Sequence, residues 1–159
     1  MKIIHLPLAV VALLIFLPSA TFAQVTGCDI CHAKPDFKRV LKSGRAQSLY
    51  VDQEHIDASV HAGKRCIDCH VDVTEIPHTS LPQPVNCTQC HYKGNTVGAP
   101  QSDIYQAYKE SVHGQAVVAG NPKAPSCQDC HGAHQILRHD DPLSQVSRFG
   151  VANMCGRCH

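Results

Sequence analysis

Cys127-Gln128-Asp129-Cys130-His131 decides how this chain is built, because the same pattern occurs four more times. The others are Cys28-Asp29-Ile30-Cys31-His32, Cys66-Ile67-Asp68-Cys69-His70, Cys87-Thr88-Gln89-Cys90-His91 and Cys155-Gly156-Arg157-Cys158-His159. Together they use all ten cysteines. Cys-x-x-Cys-His is the attachment signal of a c-type haem. Two thiols add across the two vinyl groups of one porphyrin, and the next residue offers an imidazole to the iron. Zinc would need its ligands grouped in fours, with no reason for a histidine after every second cysteine. A disulfide framework leaves the five adjacent histidines unexplained. The expected cofactor is five covalently bound haem c, with His32, His70, His91, His131 and His159 as proximal iron ligands.

Length and composition fit that reading. Residues 1–23 have the form of a secretory signal: Lys2, an apolar run from Ile3 to Leu17, then Thr21 and Ala23 before a cut. The run, about 15 residues and interrupted by Pro7, is short of the ~20 that a spanning helix needs. Export to the periplasm or the cell exterior is expected, with membrane contact only if this segment is retained. Residues 24–159 then serve five haems, about 27 residues for each. There is no Trp, and the mature part keeps only Phe37, Phe149, Tyr50, Tyr92, Tyr105 and Tyr108 as large aromatics. The porphyrins must supply the apolar bulk, and thioether and iron–histidine bonds must act as staples. The mature polypeptide is formally neutral. Haem propionates and ferric cores bring the oxidised protein to about −5. No basic tract points to nucleic acid.

An internal repeat underlies the irregular motif spacing. Ser59-Val60-His61 is echoed by Ser111-Val112-His113, and the motif at Cys66 by that at Cys127. His78 stands eight residues after His70, and His139 eight after His131. A further motif closes each copy. The unit spans about 57–91 and 109–159, with the Cys28 motif as a prefix to a single domain, residues 24–159.

The expected fold is mainly α with much irregular coil, a small multihaem fold organised around a packed row of c-type haems. Asp103 to His113 is the best helix, capped by Ser102 and ended by Gly114. Tyr50 to His61 is a second, and Arg39 to Lys42 a turn or two. Residues 79–85 and 94–100 read as loop. No alternation is long enough to argue for a sheet.

Six other mature histidines are candidates for the distal iron positions: His55, His61, His78, His113, His134 and His139. His61 and His113 are repeat equivalents, as are His78 and His139. His134 lies close to its own motif and within reach of a neighbour, and His55 is off the helical face of His61. Met154, the one mature methionine, is adjacent to Cys155 and poorly placed, which favours low-potential bis-histidine haems.

The stretches Tyr108-x-x-Ser111-Val112-His113-Gly114, Ala124-Pro125-x-Cys127-x-x-Cys130-His131-Gly132-x-His134-x-Ile136, Asp141-Pro142-x-Ser144 and Cys155-Gly156-x-Cys158-His159 resemble the multihaem cytochromes c with doubled Cys-x-x-Cys-His motifs. These occur in anaerobically respiring bacteria and archaea, and the resemblance covers most of the mature chain. It implies periplasmic or extracellular electron transfer through closely packed bis-histidine haems. It also implies axial roles for His113 and His134, and for His61, which is followed by Ala62 rather than glycine. The expected partners are redox proteins: a quinol dehydrogenase or cytochrome upstream, and a reductase or cytochrome downstream. Self-association through terminal haems is compatible with an exposed last motif. An electron carrier is expected rather than an enzyme. The alternatives are a multihaem reductase of a small nitrogen or sulfur oxyanion with one open-site haem, and a membrane-anchored quinol-oxidising subunit.

Overall fold

The computed structural model describes residues 26–159, so the signal segment lies outside the described residues. The described chain is a string of very short elements in much coil. In order they are α1 (Asp29–His32), the hairpin strands β1 (Lys38–Val40) and β2 (Ala46–Ser48), α2 (Gln53–Asp57), α3 (Cys66–Cys69), a 3-10 turn (Cys87–Gln89), α4 (Ile104–Glu110), α5 (Val112–Val118), α6 (Cys127–His131) and α7 (Val151–Cys155). Among the described residues no helix is long and apolar enough to cross a membrane.

No hydrophobic side chain among the described residues is buried. Val112 is 77% exposed, Leu143 83% and Ile30 66%. The buried side chains are polar: Ser59, Asn95, Ser144 and Ser147. Polypeptide of this length normally buries its large aliphatic residues against one another. Here local hydrogen bonding sets the chain's path, and the apolar surface is left for something else to cover.

The motifs are helical turns. The histidine amide donates to the carbonyl of the first cysteine at Cys28 (2.9 Å), Cys66 (2.9 Å), Cys87 (3.0 Å) and Cys155 (3.1 Å). A separation of three residues then places both cysteines on one face. The residues inside and before the motifs cap these turns. The Asp68 carboxylate accepts from the Arg65 amide at 2.9 Å, and the Asp129 carboxylate from the Ser126 amide and hydroxyl, both at 2.7 Å. Asn86 accepts from the Thr88 amide at 3.1 Å. Each caps a donor that a helix start leaves unpaired.

Three expectations are corrected. Residues 103–113 do not form one helix. Ser111 takes extended angles (φ −71°, ψ 161°), because its hydroxyl accepts from the Gly114 amide at 3.1 Å and so starts α5. Gly114 therefore does not end a helix. It is buried inside α5, where a Cβ would collide with the Tyr108 carbonyl oxygen. Second, the helix expected to run to His61 stops at Asp57. Ser59 and Val60 turn aside to bind Ile136: the Val60 amide donates to the Ile136 carbonyl (2.8 Å), and the Ile136 amide to the Ser59 hydroxyl (3.2 Å). This joins the two sequence units. Third, residues 39–42 do not form a helical turn. They begin a hairpin with Lys38 opposite Ser48 and Val40 opposite Ala46. The loop at 94–100 is as expected. Buried Asn95 orders it, donating to the carbonyls of Tyr92 (2.9 Å) and Ala99 (3.1 Å).

Gly114→Ala tests the α4–α5 contact. The added methyl cannot be accommodated without moving α5 off Tyr108, and with it His113. The expected cost is about 1–3 kcal/mol, as for other overpacked sites. A thermal midpoint equal to that of the unaltered protein would contradict the close approach.

Candidate functional site

The histidines meet in pairs. The His32 and His78 rings are nearly parallel, with centres 6.2 Å apart and planes within 8°. His61 faces His91 at 5.8 Å, His70 faces His134 at 6.5 Å, and His113 faces His159 at 5.9 Å. Each pair joins one motif histidine to one histidine outside the motifs. Two imidazoles bound to opposite sides of one metal stand roughly 6 Å apart, given metal–nitrogen bonds of about 2.0 Å. The four separations fit a single iron between each pair. Among the described residues no three His, Cys, Asp or Glu side chains converge as a bare-metal site.

Hydrogen bonds turn the first pair toward that use. His32 Nδ1 donates to the Leu49 carbonyl at 2.7 Å, and His78 Nδ1 donates to the Ser80 carbonyl at 3.0 Å. A carbonyl only accepts, so both rings carry a proton on Nδ1, which in the neutral ring leaves the lone pair on Nε2. Such an outer partner fixes the tautomer and orientation of a metal-binding histidine. The hairpin delivers Leu49: its amide donates to the Phe37 carbonyl at 2.9 Å, and the Phe37 ring packs edge-on against His32 at 5.2 Å. In the His70 ring, Nδ1 is buried without a hydrogen-bond partner.

Burial keeps several rings neutral. It holds His61 below the ordinary imidazole value, helped by the charges of His91 and Lys64. Partial desolvation of the ring lowers His131 as well, helped by His91, and His134, helped by His70 and His32, although both residues are exposed by surface area. Unfolded imidazoles titrate near 6.5. As the pH falls through that value the unfolded chain takes up protons before these folded histidines do. The stability they contribute is present above about 6.5 and is lost on further acidification toward their depressed folded values. Iron bonding acts in the same direction, since only neutral imidazole is a ligand. Thermal midpoints should fall between pH 7 and pH 5, and a flat profile would contradict this assignment of neutral rings.

The cysteines meet across motifs in chain order. The Cys28 thiol lies beside that of Cys66, and the Cys87 thiol beside that of Cys127. Cys69 lies within charge range of Cys90, and Cys130 within charge range of Cys155. First joins second, second joins third, third joins fourth, and fourth joins fifth. Beside the fifth motif is an open groove of about 420 Å³, lined in part by Leu143, Phe149 and Met154.

Four of the six candidate distal histidines stand in pairs. His61, His78, His113 and His134 lie opposite His91, His32, His159 and His70. His55 lies in α2 and is exposed. His139 is exposed beside the Arg138–Asp140 ion pair of 3.0 Å. The repeat relation between His78 and His139 thus does not carry into position. The two Ser-Val-His serines also differ: Ser111 caps α5, whereas Ser59 fastens Ile136. Gly132 explains how His134 reaches another motif. Its φ of 83° ends α6 directly after His131 and turns the chain back. The sequence signalled Gly132 and both serines, but it held no sign of the Leu49 and Ser80 carbonyls.

Two family models match the chain. A model described as cytochrome c3 matches residues 58–159, and one described as cytochrome c7 and related cytochrome c matches residues 17–92. No curated protein and no solved structure matches the chain.

Proposed function

The chain belongs to the cytochrome c3 family, among the multihaem c-type cytochromes, and from that premise we propose that it is an exported carrier of electrons in anaerobic respiration. Five haem c groups attach at Cys28/Cys31, Cys66/Cys69, Cys87/Cys90, Cys127/Cys130 and Cys155/Cys158. When bound, haem c supplies a one-electron iron couple whose potential the axial ligands and surroundings set.

The observation that carries this reading is the set of four imidazole pairs at 5.8–6.5 Å. The chain's part would be to hold two imidazole nitrogens toward each of four irons, with His32, His70, His91 and His159 paired to His78, His134, His61 and His113 respectively. Paired imidazoles leave no room for a substrate at those positions, which favours a carrier over an enzyme. With methionine absent from the pairs, the potentials should be low. Thiols of successive motifs influence one another in chain order, which supports a row of attachment points. The first and fifth motifs then stand at the ends of the row, where redox proteins would dock. The exposed apolar side chains are the surface that porphyrins would cover.

Reductive titration of the matured protein tests this. The carrier reading expects uptake of five electrons per chain, at low potentials and with full reoxidation. Uptake of two or fewer, or potentials typical of methionine-ligated haem, would overturn it.

A further inference from the structure

The four imidazole pairs are not alike. The His32 and His78 planes lie within 8° of each other, whereas those of His113 and His159 are 37° apart, His70 and His134 49°, and His61 and His91 75°. The first pair also differs in its outer partners. His32 Nδ1 donates to the Leu49 carbonyl at 2.7 Å, and His78 Nδ1 to the Ser80 carbonyl at 3.0 Å. Among the described residues no other paired ring makes such a bond, and the His70 Nδ1 is buried without a partner.

Both differences bear on the iron that each pair would hold. An imidazole that donates from Nδ1 to a carbonyl gains electron density at Nε2 and becomes the stronger ligand, which favours ferric iron. The ring planes act in the same direction. Each imidazole donates from its π system into the iron d orbital perpendicular to its own plane. Parallel rings share one orbital, the one with the ferric vacancy, and together stabilise the oxidised state. Crossed rings divide their donation between two orbitals and leave these close in energy.

Resting on the multihaem reading above, we infer that the haem attached at Cys28 and Cys31 has the lowest potential of the four haems held by these pairs. Leu49 and Ser80 are then positioning residues that act through His32 and His78 and give the row a direction. The first motif is the end at which a low-potential redox protein delivers electrons. One electron leaves the donor and reduces that ferric iron to ferrous. The iron returns to ferric as the electron passes on to a haem of higher potential. The hairpin serves this end by holding Leu49, whose amide donates to the Phe37 carbonyl at 2.9 Å.

Potentiometric reduction followed by EPR tests this, on matured protein whose mass shows five haems. A mass short of five haems overturns the multihaem reading itself and is thereby distinguished from every outcome that follows. Parallel rings give a rhombic low-spin spectrum with three spread g values, and strongly crossed rings a single large g value. Cys28→Ala/Cys31→Ala protein should lack a rhombic signal that the unaltered protein loses at low potential. Cys87→Ala/Cys90→Ala protein should lack a large-g signal that the unaltered protein loses at higher potential. The inference is overturned if the signal lost with the first motif is of the large-g kind. It is equally overturned if that signal disappears at or above the potential of the one lost with the third. His78→Met, which keeps the haem, makes the assignment should the four-haem proteins fail to fold. It should abolish the same rhombic signal and shift one haem to higher potential, and a rhombic low-potential signal left unchanged in it overturns the inference.

Discussion

Haem-free protein, made with the cysteines replaced by serine, should show no cooperative thermal transition. Ordering a residue's backbone costs about 1–2 kcal/mol, and burial of apolar side chains is the main term that offsets this in ordinary domains. Among the described residues no hydrophobic side chain is buried. Capped turns such as those at Asp68 and Asp129 fix local shape, but a net hydrogen bond contributes only about 1 kcal/mol. The hairpin pairs just three residues on each strand, and an isolated hairpin is marginal in water. Circular dichroism during heating should give a shallow, nearly linear change. A sharp transition would mean that the polypeptide has a core of its own and that the exposed apolar surface has another purpose.

The second large effect is expected at His134. Its ring stands 6.5 Å from His70 and joins the second sequence unit to the first. His134→Ala should convert one low-spin haem to a ligand-accepting one and raise carbon monoxide uptake by one molecule per chain. It should also cost about 4 kcal/mol or more, the range reached when a metal bond is lost. His113→Ala should open the position opposite His159 and raise uptake by the same amount, with a smaller loss of stability, because that pair lies within one unit. Added imidazole should restore the low-spin state in both variants. If His134→Ala leaves uptake unchanged, His70 and His134 do not share an iron.

Covalent chemistry made the candidate attachment sites legible. Two thioether bonds and an iron bond to one porphyrin demand fixed spacing, so the ten cysteines and five following histidines stand out in a single sequence. The fold class, short helices in much coil, followed from too few large side chains for the length. Element ends were less legible. Ser111 looked like the interior of a helix, yet its hydroxyl does more by capping α5 than a continuous helix would allow. The helix before His61 stops early because Ser59 and Val60 bond a residue far away in sequence. The three-residue strands at Lys38 and Ala46 are too short for any alternation to register.

Pairing of the histidines was hidden for a similar reason. Sequence equivalence set His139 beside His78, but position depends on where the chain turns, and Gly132 sends His134 rather than His139 across to the first unit. The carbonyls of Leu49 and Ser80, which fix the tautomers of His32 and His78, belong to backbone that any residue could supply. They become visible only once the hairpin and the 79–85 loop are in place.

The most direct test of the paired-imidazole account is a low-temperature EPR spectrum of the oxidised, five-haem protein, integrated against a spin standard. The account predicts low-spin signals amounting to at least four haems per chain, with at most one haem whose signal changes on addition of imidazole. Two or more high-spin haems would show that the facing histidines do not hold iron between them, and would contradict it.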